Sequence, residues 1–185
     1  MPWKVPHLSY FRESNPAGGP SLDRAFAAVP DSIRTAAEEA ARRLKALGIR
    51  HALVGGLAVG AHGAPRNTTD VDFLVGLEAF EGSGAVLVHR AGVPVKVGEV
   101  AIDLLPAEEP LLERALDRAQ ESGEPVPFVD LPVLVQLKLR ALRPHDQDDV
   151  RRLIRAGADL GAIRSHLASA EPALLSRLDY VLARE

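Results

Sequence analysis

The sequence predicts an α+β fold: a small mixed sheet with flanking helices, followed by a C-terminal helical region. Three observations carry that prediction. Residues 31 to 47, "DSIRTAAEEAARRLKAL", place Ile33, Ala37, Ala40, Leu44 and Leu47 at 4-3-4-3 spacing, the period of a half-buried helix. Between about residue 49 and residue 105 come short apolar pieces separated by Gly, Pro and charge, the pattern of brief strands. From about 108 onward the pattern is helical.

Taken in order, the first twenty residues carry Pro2, Pro6, Pro16 and Pro20 with Gly18 and Gly19 and read as an irregular arm, whose Trp3, Tyr10 and Phe11 suit docking. The helix over 31–47 has Asp31 or Ser32 as N-cap candidates and ends before Gly48. "IRHALVGG" reads as a strand running into a glycine turn, 57–62 as a short helix, and "TDVDFLV" as the next strand. Further strands are expected at 85–89, 93–97 and 100–105. Helices are expected at 108–121, 130–142, 146–156, 159–168 and 172–184, with "PVPFV" at 125–129 as a last short strand. The division drawn from this is an arm over 1–20, a core over 21–130 and a helical region over 131–185 packed on that core.

Composition narrows the class. The chain has 185 residues, 46% hydrophobic and 25% charged, which is ordinary for a globular domain with a proper core. Aromatics are only 4%, so that core must be built from Leu, Val, Ile and Ala. A formal net charge of −3 supplies no whole-molecule field for nucleic acid or membrane. The absence of cysteine excludes disulfides, thiolate metal sites and a cysteine nucleophile, and fits a reducing compartment. No apolar run reaches the roughly 18 residues of a membrane span, and the N-terminus lacks the order of a signal peptide. A cytoplasmic protein with no membrane partner is the expectation.

The chemistry concentrates in "VGGLAVGAHGAPRNTTDVDFLV", residues 54 to 75. Alternation along a strand puts Asp70 and Asp72 on one face, about 6–7 Å apart, and Val71, Phe73 and Val75 on the other. The same-face neighbours Thr68 and Leu74 carry no positive charge, so the two carboxylates repel unless a cation joins them. Carboxylate-only ligands favour a hard ion such as Mg²⁺. Asp103 interrupts one face of "VAIDLL" in the same way, and acids on adjacent strands would make a two-metal site for in-line displacement at phosphorus. Gly55 and Gly56, after a strand and before a short helix, permit close backbone approach to a phosphate.

These residues resemble the signature of the nucleotidyltransferases with the DNA polymerase beta-like fold. Here it reads Val54-Gly55-Gly56, thirteen intervening residues, Asp70-Val71-Asp72-Phe73, and later Asp103. A second block is similar to the minimal and type IV abortive-infection toxin-like branch: "HGAPRNTTDVD", then "LVQLKLRALRPHDQDDV" with Lys138, Arg143, Asp146 and Asp149. The resemblance spans roughly 48 to 155. It implies the polymerase-beta-like fold and Mg²⁺-dependent transfer of a nucleoside monophosphate from an NTP to an acceptor hydroxyl, with pyrophosphate released. It makes Asp70, Asp72 and Asp103 metal ligands, with Asp103 helping to activate the acceptor, and makes Gly55 and Gly56 the holders of the triphosphate. Arg66, Thr69, Asp146 and Asp149 join them as nucleotide-site residues, and Lys138 as a catalytic one. The acceptor is open among tRNA, protein and small molecule, and the branch adds a cognate antitoxin or toxin protein as partner. A non-catalytic nucleotide- or partner-binding module on the same scaffold is the rival reading.

Several of these residues carry a second meaning. Lys138 is either a snorkelling surface lysine or a charge neutralising the phosphates. Asp146 and Asp149, at a helix start, serve as capping and dipole partners, or hold Lys138 or Arg143 in place. Arg66 is a phosphate clamp or a salt-bridge partner of the nearby acids. His62 reads as a packing or orienting group rather than a base, and His51, His89, His145 and His166 show no ligand spacing.

Overall fold

The computed structural model describes residues 19–82 and 88–184. The arm with Trp3, Tyr10 and Phe11 lies outside the described residues, as do positions 85–87 of the strand expected at 85–89. A four-residue helix, α1 (Leu22–Ala25), precedes the long α2 (Asp31–Ala46). Strand β1 (His51–Leu53), helix α3 (Gly55–Ala61) and strand β2 (Val71–Val75) follow, then a single 3-10 turn over Leu77–Ala79. Strands β3 (Phe80–Glu81), β4 (Val88–His89), β5 (Lys96–Val97) and β6 (Val100–Pro106) complete the β portion. Five helices close the chain: α4 (Pro110–Glu121), α5 (Leu131–Ala141), α6 (Pro144–Arg155), α7 (Leu160–Ala170) and α8 (Leu174–Leu182).

The main sheet has the order β1-β2-β6-β5 and is mixed: β2 runs antiparallel to β1 and parallel to β6, and β5 runs antiparallel to β6. The register between β2 and β6 sets Val71 opposite Ile102 and Asp72 opposite Asp103. The segment expected as a strand at 125–129 contributes only a parallel bridge, Phe128 to Leu53, with Leu53 N donating to Pro127 O at 2.7 Å. Pro125 and Pro127 lack amide hydrogens, so a full ladder cannot form there. The strand expected at 93–97 is likewise reduced to Lys96–Val97. Helix α2 begins at Asp31 behind Pro30, and neither Asp31 nor Ser32 caps it through a side chain. Helix α3 starts at Gly55, so both glycines lie in its first turn rather than in a loop before it.

Each face of the sheet builds its own core. On one face Val71, Phe73, Val75 and Ile102 pack with Ile33, Ala37, Ala40 and Leu44 of α2, which buries the apolar stripe read from the sequence. On the other, Ala52 and Leu74 pack with α4, α5 and the helices behind them. Helix α5 is central to this second layer, touching α3, α6, α7 and α8. Val133, Leu134, Val135 and Leu139 are buried in it, which is why its sequence is apolar on nearly every side. Its two buried polar residues both find partners. Gln136 donates to Glu171 Oε2 at 3.1 Å and pairs with His166 Nε2 at 2.8 Å, and Lys138 forms the ion pairs described below.

A two-residue turn joins α5 to α6, and Leu142 occupies the left-handed region there at φ 51°. That conformation costs a non-glycine residue about 1–2 kcal/mol. Leucine holds it because its side chain packs against the second core.

Leu74 is fully buried in the second core from the middle of β2. Leu74→Ala should lower unfolding stability by about 2–5 kcal/mol, read from the midpoint of a urea titration at unchanged slope.

Candidate active site

The open end of the second sheet face carries the acids. Asp72 and Asp103 are register partners on adjacent parallel strands, and Asp70 lies two residues before Asp72, just outside β2. One oxygen from each of the three carboxylates lies within 4.8 Å of the others. Asp70 and Asp72 are half-buried and Asp103 is exposed. Thr68, buried, donates its hydroxyl to Asp70 Oδ1 at 2.6 Å and fixes that carboxylate.

Burial, and then the negative charges of Asp70 and Asp103, push the Asp72 carboxyl up to about 6; the cations Lys138 and Arg143 act against them without prevailing. Three oxygen ligands in mutual reach, one of them reluctant to ionise, form the donor set that suits a hard divalent cation.

The glycines make room for this arrangement. Gly55 has φ +61°, and a Cβ added there would stand 1.8 Å from Asp72 Oδ2. Only glycine both adopts that backbone and lets the carboxylate lie against it. A Cβ on Gly56 would stand 3.1 Å from Thr68 Oγ1 and 3.2 Å from Arg66 Cζ. Gly55 is therefore required by the position of Asp72, and Gly56 lets the acid-bearing loop lie close against α3.

Opposite the acids stands a buried charge network. Lys138 is 6% exposed and is no snorkelling surface residue: its Nζ lies 3.0 Å from Asp146 Oδ1 and 2.8 Å from Asp149 Oδ2. Asp146 and Asp149 are 0% and 1% exposed. Arg66 holds Asp149 with two donors, Nε to Oδ1 at 2.6 Å and Nη2 to Oδ2 at 3.0 Å. Its salt bridge is thus to an acid 83 residues away and not to Asp70 or Asp72. Arg143 donates Nε to Asp146 Oδ2 at 2.7 Å. Burial works to raise the Asp146 carboxyl, but the hydrogen bonds from Arg143 and Lys138 outweigh it and hold it below the usual carboxylate range.

Acids and cations face one another across a cleft of about 720 Å³, within the usual range for a small-molecule site. Gly55, Gly56, Arg66, Thr69, Asp70, Asp72, Asp103, Lys138 and Asp146 all line it, and Asp149 lies behind that wall. Asn67, Thr68, Arg140, Arg143 and His145 also line it and carried no site role in the sequence reading. Thr68 rather than Thr69 touches an acid, a choice that alternation from Asp70 favours, since residues two apart share a face. Arg143 stood in the second block without an assigned role, and His145 had no spacing signal at all. Away from the cleft, His62 donates Nε2–H to Val129 O at 2.8 Å, and burial holds its imidazole below the ordinary histidine range, which suits an orienting group.

No protein-family model matches the sequence, and no curated protein sequence matches it. Among solved structures the chain is similar to an antigenic nucleotidyltransferase-like protein from Paracoccidioides brasiliensis. The two are 17% identical, the alignment covers 82% of this chain and 94% of that one, and the TM-score is 0.43. No helix among the described residues is long and apolar enough to cross a membrane.

Two outcomes follow from the crowding around Asp72. In metal-free buffer Asp72→Asn should stabilise the protein by roughly 1–2 kcal/mol at pH 8. A carboxyl raised to about 6 from 3.8 takes up its proton more readily in the folded state, so the gap between variant and parent should close as pH falls from 7 to 4. Thermal melts across that pH range measure both. Gly55→Ala should destabilise by more than the roughly 1–2 kcal/mol of backbone strain alone. Combining it with Asp72→Ala, which removes the clashing carboxylate, should recover part of the loss but not all, since the Asp72 Cβ would still stand 2.9 Å from the new methyl.

Proposed function

We propose that this chain is a Mg²⁺-dependent nucleotidyltransferase that moves a nucleoside monophosphate from an NTP to an acceptor hydroxyl and releases pyrophosphate. The observation that supports it best is the placement of Asp70, Asp72 and Asp103, with oxygens within 4.8 Å of one another, in a cleft whose facing wall is cationic. The resemblance of these residues, in order and spacing, to the polymerase-beta-like signature points the same way.

In this reading Asp70 and Asp72 hold magnesium together with the phosphates, and Asp103 is the third ligand, placed at the exposed side where an acceptor enters. Bound magnesium supplies neutralisation of phosphate charge and alignment for in-line displacement. The chain's own groups do the rest. Thr68 keeps Asp70 in one orientation, and Gly55 lets Asp72 lie against the start of α3. Asp103 is the carboxylate available to take the acceptor hydroxyl's proton. Gly55, Gly56 and Thr69 line the path for the phosphates. Lys138 adds fixed positive charge, which stabilises charge developing on the phosphates. Asp146 and Asp149, with their oxygens engaged by Lys138, Arg66 and Arg143, act by holding those cations rather than by touching the nucleotide.

The test is incubation with each α-labelled NTP, Mg²⁺ and three acceptor pools: bulk tRNA, cell protein and small-molecule extract. A labelled product should form and should fall by a factor of about 10³ or more in Asp70→Ala and Asp72→Ala, with folding intact by circular dichroism. The pool that takes the label identifies the acceptor class. Calorimetric binding of Mg·NTP with no transfer to any pool would instead make the chain a binding module. Neither binding nor transfer would defeat the nucleotide reading altogether.

A further inference from the structure

Four cations line the cleft, and their donors are not equally free. Arg66 has all three nitrogens engaged: Nε and Nη2 on Asp149, and Nη1 on Asn67 O at 2.9 Å. Arg140 is likewise taken, with Nε on Glu171 Oε2 at 2.6 Å and Nη1 and Nη2 on the two Glu109 oxygens at 2.9 and 2.8 Å. Lys138 is buried, and two of its three donors face Asp146 and Asp149. Arg143 differs. Its side chain is 62% exposed, Asp146 holds it through Nε at 2.7 Å, and its Nη1 has no partner among the described residues. Its Nη2 reaches Asp146 Oδ1 only at 3.4 Å. His145, also exposed, lines the cleft beside it.

We propose that Arg143, with His145 beside it, grips the outer phosphates of the bound nucleotide, while Arg66 is a brace that never touches the ligand. This rests on the nucleotide reading above and goes beyond it by assigning the phosphate contact to one side chain. A guanidinium anchored at Nε presents its Nη edge as a fork, the geometry that meets two phosphate oxygens at once. Asp146 fixes the near end of that fork, and the left-handed Leu142 directs the chain so that Arg143 stands at the mouth of the cleft. Arg143 lines the same cleft as Asp70, Asp72 and Asp103, the acids that would share an ion with the phosphates. Arg66 could reach a ligand only by abandoning Asp149, leaving a carboxylate that is 1% exposed with Lys138 alone. Breaking a buried pair in that way is strongly unfavourable.

The contact predicts selectivity by phosphate count. Calorimetry in Mg²⁺ buffer would compare the non-hydrolysable triphosphates, the diphosphates and the monophosphates of the four common nucleosides, and inorganic pyrophosphate. The parent chain should bind the triphosphate of its preferred nucleoside more tightly than the monophosphate. Arg143→Ala should weaken triphosphate and pyrophosphate binding about tenfold or more and leave monophosphate binding within about twofold. His145→Ala should weaken the same two ligands by a smaller factor, and Arg143→Lys should recover part of the loss. Arg140→Ala, whose parent side chain is already occupied, should keep the full phosphate preference. Arg143→Ala also deprives the buried Asp146 of a partner and should lower the thermal midpoint, so binding is compared at a temperature where circular dichroism shows parent and variant equally folded. Retention of the triphosphate preference in Arg143→Ala, or equal loss for mono- and triphosphate, would overturn the assignment while leaving the nucleotide reading intact. Failure of the parent chain to bind any of these ligands would overturn the nucleotide reading itself.

Discussion

Repulsion among three carboxylates is the constraint around which this structure is arranged. Asp70, Asp72 and Asp103 are brought within 4.8 Å by a parallel strand pairing that nothing in their local sequence makes comfortable. The consequences spread outward from that point. Gly55 must lack a side chain so that Asp72 has somewhere to lie, and Thr68 must be buried so that Asp70 keeps one orientation. The cations opposite lower the electrostatic cost without ending it, as the raised Asp72 carboxyl shows. A core built for stability alone would place leucine at these positions, as the same face does at Leu74.

The facing wall solves a second electrostatic problem. Burying Lys138 needs counter-charges, and α6 supplies two, Asp146 and Asp149, one helical turn apart. Two buried carboxylates in turn need more than one ammonium, and Arg66 and Arg143 complete the balance from the loop before β2 and from the α5–α6 turn. Such networks contribute little net stability, because desolvation offsets most of the attraction. What this one does is fix relative position. Asp149 joins the acid-bearing loop to α5 and α6 through Arg66 and Lys138, so the two walls of the cleft are held at a set distance by charge as well as by packing.

The apolar framework was largely legible. Ile33, Ala37, Ala40 and Leu44 appear in the core as their spacing implies, and Val71, Phe73 and Val75 face away from the acids as strand alternation requires. Errors gathered where tertiary contact overrides local signals. Asp31 and Ser32 have the chemistry of N-caps, yet Pro30 occupies that place. The run 125–129 has strand-like residues, yet its prolines reduce it to one bridge against β1. Lys138 could not be told from a surface lysine, because an apolar helix with one charge reads the same whether that charge escapes to water or meets buried partners.

By itself the sequence determined the acid pattern, the glycine pair and the alternation that separates the acids from the core residues, because that alternation depends on a period of two along a single strand. Only the tertiary structure decided which cation meets which acid. Arg66 lies four residues before Asp70, yet pairs with Asp149, 83 positions away, since the loop before β2 folds over α3 towards α6 instead of back along its own strand. Electrostatic partners are chosen by distances of a few ångströms between elements far apart in the chain, and residue order does not encode those distances until the helices have packed.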